Sequence, residues 1–215
     1  MSSYSSGTTI SVAQTNFPAE SLYHELLHAK LKLAGYVQYL TSVKVVEDNT
    51  PLVVAKALDN ELQHHRMFPS FVAAGFDPAR FYHDGDHNTY ALVRAELKRM
   101  KPDKTSAADY FLKYLSIMAP GGAGGEGKRA QLDRFFRMTV STDKLAKVDV
   151  AAQKLRAWGL AKTPSAGATI VEIIAGLGDY DGWWFGASPG DFPSAGYFTG
   201  SPFTMDEAEQ FAGHG

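Results

Sequence analysis

Glu61-Leu-Gln-His64 sets a carboxylate and an imidazole one helical turn apart, where two side chains share a face. Plotted at helical spacing, the surrounding apolar stripe is Val53, Val54, Ala57, Leu58, Phe68, Phe71 and Val72. Lys56, Asp59, Gln63, Arg66 and Ser70 fall on the opposite face. Glu61 lies near the middle of the stripe, flanked by His64 and His65. A carboxylate buried there must be paired, protonated or bound to a cation, because burying it bare costs on the order of several kcal/mol. An inward-facing E-x-x-H step is also the arrangement that holds iron or manganese in the cores of helical bundles. A plain buried Glu–His hydrogen bond, or a patch in a subunit interface, uses the same residues.

Other candidate donors lie on neighbouring segments. Glu25-Leu-Leu-His28 is a second E-x-x-H step, beside a stripe of Leu22, Leu26, Ala29, Leu33, Val37 and Leu40. That stripe leaves Glu25 on its inner flank and turns His28 to the solvent side with His24 and Lys32. Glu96 lies on the flank of Val93, Leu97 and Met100. The expected metal donors are therefore Glu25, Glu61, His64 and Glu96, with Glu61 and His65 available for catalysis. His83, Asp84 and His87 also cluster, but Gly85 and turn residues around them point to a solvated loop. The His-Asp step is similar to that of HD-domain enzymes, which carry theirs in a helical setting. Phosphate-binding glycine loops, nucleophile elbows and dinucleotide fingerprints are absent. The glycines at 121–127 lack both the preceding strand and the Lys-Ser/Thr of a P-loop.

The elements that must position these residues read as helices throughout. Residues 1–16 form a polar N-terminal arm, and Asn16-Phe-Pro-Ala-Glu20 starts a helix A of about 28 residues running to Asp48. Thr50-Pro51 opens helix B, which runs to Ala74 and is expected to bend at Pro69. Helix C spans about Asn88 to Lys101, and Ser106-Ala-Ala-Asp109 reads as a capping box for a segment ending at Met118. After the glycine-rich linker come helices over about 128–140 and 142–158. Thr169-Ile-Val-Glu172 reads as a capping box for a last helix ending at Gly176 or Gly178. Residues 179–215, rich in glycine, proline and aromatics, are expected as an extended C-terminal arm. No alternating pattern of useful length predicts more sheet than a hairpin. The expectation is an all-α fold, with a four-helix-bundle-like body over residues 17–178 between two arms.

A Glu on helix A followed 36 residues later by E-x-x-H on helix B (Glu25, then Glu61 and His64) resembles the first half of the ferritin-like proteins, which bridge two metals with carboxylates. The resemblance covers about residues 18–100. It implies a Glu on helix C, which Glu96 matches, and a second E-x-x-H on helix D, which Gln131-Leu-Asp133-Arg-Phe-Phe does not supply. Asp133 falls on the polar side with Arg134 and Arg137. The resemblance thus implies a bundle holding one iron or manganese ion, or a degenerate site. Separately, Ile170-Val-Glu-Ile-Ile-Ala-Gly-Leu-Gly-Asp-Tyr180 looks like the end of the last helix in rod-shaped plant virus coat proteins, without an arginine cluster nearby for RNA.

Composition bounds these readings. Across 215 residues, 45% are apolar and 20% charged, which excludes a disordered chain. Twenty-one basic against 23 acidic side chains give a formal charge of −2, so no basic footprint points to nucleic acid. Cysteine is absent, which removes disulfides, thiolate metal sites and cysteine nucleophiles together. No stretch approaches the roughly 18 uninterrupted apolar residues of a membrane span, and the N-terminal residues lack a signal-like apolar region. A cytoplasmic homo-oligomer without a membrane partner is expected. Its function would be a metal-dependent oxidase or oxygenase acting on a small organic substrate. The alternatives are a self-assembling structural subunit whose arms make the contacts, and a metal-free acid–base enzyme built on Glu61 and the two histidines.

Overall fold

A computed structural model describes residues 16–44, 46–82, 89–122, 125–200 and 206. The chain is mostly helical: α1 (Pro18–Leu33), α2 (Thr50–Ala73), α3 (Tyr90–Arg99), α4 (Ala107–Met118), α5 (Glu126–Thr139), α6 (Thr142–Leu160) and α7 (Gly167–Leu177). Among the described residues no helix is long and apolar enough to cross a membrane.

The expected long helix A is two elements. α1 stops at Leu33 because Gly35, at φ +93°, takes the left-handed conformation that glycine adopts without a steric cost. The Gly35 amide then donates to the Lys32 carbonyl and the Tyr36 amide to the Leu31 carbonyl, both at 3.0 Å. These are the paired bonds of a Schellman ending. The chain continues into a strand, β1 (Thr41–Lys44). Pro69, in contrast, lies within a single α2 that runs unbroken from Thr50 to Ala73. The Ser106–Asp109 capping box is present as read, with the Ser106 hydroxyl accepting from the Asp109 amide at 3.0 Å and the Asp109 carboxylate accepting from the Ser106 amide at 3.0 Å. The Thr169 box is not: α7 begins at Gly167 and has no side-chain cap.

The C-terminal region is the larger correction. Residues Trp183–Gly186 form β2, which pairs antiparallel with β1 in the register Ser42↔Phe185, and Tyr197–Phe198 form β3 on its other edge. The result is a three-stranded sheet, more than the hairpin expected. Its strands are too short to show an alternating pattern, and all four residues of β2 are buried, so no polar face advertises it. Trp183 stacks on Phe185 with ring centroids 5.5 Å apart, and both belong to the main core with Tyr110, Phe136, Leu155, Ile170 and Ile174.

α2 is the central element, in contact with α1, α4, α6 and α7. A second apolar cluster of Leu27, Met67, Phe71, Phe81, Tyr82 and Ala119 lies where α1 and α2 meet the turn at Pro78–Arg80. That turn is tied to the start of α1 by Arg80, whose guanidinium sits 3.5 Å from the centre of the Phe17 ring and 4.0 Å from Glu20. Gly121, at φ +77°, lets the chain pass so close to the turn that a Cβ there would strike the Pro78 carbonyl oxygen. These contacts place Phe81 and Tyr82 against the α1–α2 seam. Because Trp183 is a core residue rather than part of a docked arm, Trp183→Ala is expected to cost about 3–5 kcal/mol of stability. Denaturant unfolding measures it, and an unchanged midpoint would mean that this segment packs on the outside.

Candidate metal centre

His24 and His28 lie one turn apart on the side of α1 that meets α2, and α2 presents His64 to them. The Nε2 atoms of His24 and His28 are 3.1 Å apart. One ring nitrogen of each of the three histidines lies within 4.8 Å of those of the other two. Nitrogens bound tetrahedrally to zinc at about 2.0–2.1 Å are spaced by about 3.3 Å, so the α1 pair already stands at ligand spacing. Among the described residues this is the one cluster of three such side chains whose donor atoms converge.

Burial keeps the α1 pair neutral. Loss of solvent, reinforced by the neighbouring His64 and His28, pushes His24 down to about 3. Burial also lowers His28, against an opposing hydrogen bond from Gln63. A neutral imidazole offers the lone pair a metal needs. Phe81 lies 4.7 Å from the His24 ring and 5.4 Å from His64, and Tyr82 lies 4.8 Å from His64, so aromatic rings close the site. Inside this apolar setting the Nδ1 atoms of His24 and His64 and Nε2 of His65 are buried without a hydrogen-bond partner. Buried polar atoms are seldom left so, and a water is the usual explanation for one such as His24 Nδ1, which lies across its ring from the Nε2 facing His28.

Around the histidines stand three carboxylates. Glu61 is buried and accepts from the Tyr82 hydroxyl on both oxygens at 3.1 Å. His64 Nδ1 approaches it at 3.6 Å and His65 Nε2 at 3.4 Å, neither as a well-directed hydrogen bond. Burial pushes the Glu61 carboxyl up, and the two histidines together outweigh it, leaving it below the usual carboxylate range. On the other side, His28 Nδ1 meets Gln63 Oε1 at 2.8 Å, and Gln63 Nε2 donates to Asp59 Oδ2 at 3.0 Å. Glu25 follows His24 directly, is half-buried, and carries a charge that His28 feels.

The structure thus brings Glu61, His64 and His65 together, and puts Glu25 within electrostatic reach of His28. Glu96 stands apart, its carboxylate 3.0 Å from Lys113 Nζ. His28 faces inward rather than to solvent. The stripe used to orient α1 is itself largely outside: Leu22 is 44% exposed, Leu26 45% and Leu33 91%, whereas Leu27 is buried. Asp59 and Gln63 are likewise buried, each only 3% exposed, because α2 has neighbours on more than one face. His83, Asp84 and His87 lie outside the described residues.

The sequence signal that finds the site is His24-Glu25-Leu26-Leu27-His28. This is H-E-x-x-H, with two imidazoles at i and i+4 on one face for a metal and a glutamate between them to act as base. Comparison with family models, curated proteins and solved structures returned no match.

A pH dependence follows from the neutral rings. Unfolded, His24 and His28 take up protons below about pH 6.5; folded, His24 does so only near 3 and His28 below its ordinary value. The unfolded chain therefore binds more protons, so metal-free protein should lose stability progressively as pH falls from about 6.5. His24→Gln should flatten that decline in urea titrations with chelator present.

Proposed function

We propose that the protein is a metal-dependent hydrolase in which His24, His28 and His64 hold a divalent ion, zinc best fitting the donors, and Glu25 is the general base. The convergence of three imidazoles at the α1–α2 seam carries this reading. Imidazole suits zinc, iron, copper and nickel, whereas manganese favours oxygen donors. An oxidase of the carboxylate-bridged kind needs carboxylates on the metal. Here Glu96 pairs with Lys113, and Glu61 is engaged by Tyr82 and two histidines, so hydrolysis has the better support. The mutual contacts of α2, α4, α6 and α7 support reading the frame as a four-helix bundle, with α1 on α2.

A bound ion would supply Lewis acidity, polarising a carbonyl and acidifying water at neutral pH. The residues do the rest. Glu25 takes the proton of the attacking water and returns it to the leaving group, the step that makes an amide or ester bond the target class. Glu61, held by Tyr82, steadies the His64 ring from its Nδ1 side, as carboxylates commonly do for metal-bound histidines. His65, with a side chain 17% exposed, connects Glu61 to the surface and can move a proton between them.

Thermal shift and hydrolysis assays test this together. Zinc at about 1,000-fold excess over its Kd should stabilise the protein by about 4 kcal/mol, a shift of roughly 10 °C. His24→Ala, His28→Ala and His64→Ala should each remove that shift. Glu25→Gln should keep it while hydrolysis of a fluorogenic peptide library or p-nitrophenyl acetate falls by about 10²–10⁴-fold. Uptake of Fe(II) with dioxygen consumption, and no hydrolysis with any metal, would favour oxidation instead.

A further inference from the structure

Three donors converge on the buried carboxylate of Asp59. The Tyr36 hydroxyl reaches Oδ1 at 2.7 Å, and Oδ2 accepts from Gln38 Nε2 at 2.8 Å and Gln63 Nε2 at 3.0 Å. Burial first, and Asp59 second, push the Tyr36 phenol far up, so it stays protonated and donates. A carboxylate only accepts, so Asp59 fixes which end of the Gln63 amide it sees. The NH2 turns to Asp59 and the carbonyl oxygen turns to His28, 2.8 Å from Nδ1. An oxygen acceptor there requires the hydrogen on Nδ1. A neutral imidazole with its hydrogen on Nδ1 carries its lone pair on Nε2, the atom that faces His24.

We infer that Asp59 and Gln63 are positioning residues for the metal centre. Together they hold His28 as its Nδ1–H tautomer and aim the Nε2 lone pair at the ion. The polarity runs one way, from Tyr36 and Gln38 into Asp59, from Gln63 into Asp59, and from His28 into Gln63. Tyr36 and Gln38 come from the segment just after the Gly35 turn, so the end of α1 sets the tautomer of a histidine on α1 by way of α2. This inference rests on the metal reading above for its purpose, but the tautomer it requires exists in the metal-free protein.

The test separates the two. Long-range ¹H–¹⁵N spectra of histidine-labelled, metal-free wild-type protein at neutral pH should show His28 with Nδ1 protonated and Nε2 bare. Gln63→Leu removes the acceptor; His28 should then shift toward a tautomer mixture, and zinc affinity should fall by about 10–100-fold. Asp59→Asn alone puts an NH2 where the carboxylate accepted, so the Gln63 amide is free to turn over and offer its own NH2 to His28 Nδ1. That variant should move His28 toward the Nε2–H tautomer and lower zinc affinity. Finding the Nε2–H tautomer in the wild type would overturn the inference. So would unchanged ¹⁵N shifts and zinc affinity in Gln63→Leu, or an unchanged His28 tautomer in Asp59→Asn. Wild-type protein that shows the Nδ1–H tautomer but takes up no zinc would contradict the metal reading and leave the positioning of His28 intact.

Discussion

Three imidazoles crowded into an apolar seam between two helices are the constraint on which the site depends. The α1 pair, His24 and His28, cannot readily charge there, because burial and the neighbouring imidazoles disfavour a cation. The three rings do not all satisfy one another either, since a neutral ring brings one donor and one acceptor and the Nδ1 atoms of His24 and His64 face no hydrogen-bond partner. A divalent ion between the rings would suit the neutral, lone-pair-bearing form of the α1 pair.

The rest of the architecture supports that seam. α2 packs on four other helices, so its His64, Gln63 and Glu61 are held by the core rather than by a loop. α1 contributes the H-E-x-x-H pair and ends sharply at Gly35. That ending returns Tyr36 and Gln38 to Asp59 instead of carrying them away along a longer helix. The Pro78–Arg80 turn, pinned to Phe17 and Glu20, delivers Phe81 and Tyr82 as the aromatic wall. Two of the three histidines therefore have a carboxylate behind them. Glu61 lies directly beside His64, and Asp59 acts on His28 through Gln63.

Helix content, the α2 span and the α4 capping box are legible in the sequence because periodicity and caps are local signals. The inward position of Glu61 is legible for the same reason, since a single acid in a strong apolar stripe stands out. The α1 face is not. Its apolar residues Leu22, Leu26 and Leu33 point largely outward, so a stripe drawn through them rotates the helix and sends His24 and His28 to solvent. Asp59 and Gln63 fall on the polar face of α2 because a single helix cannot show that a second helix will cover that face. The sheet is hidden for a related reason: β1 and β2 are four residues each, and Thr41 pairs with Gly186, a partner far away in the chain. A motif rather than a periodicity corrects the site, the H-E-x-x-H that begins one residue before the E-x-x-H step.

Central to all of this is the proposed binding of one ion by three histidines from two helices. X-ray absorption at the zinc edge of the reconstituted protein tests it most directly, because imidazole rings give a countable multiple-scattering signature. Three imidazoles at about 2.0–2.1 Å are expected, falling to two in His64→Ala. A zinc shell made of oxygen alone, or one unchanged by loss of His64, would contradict it.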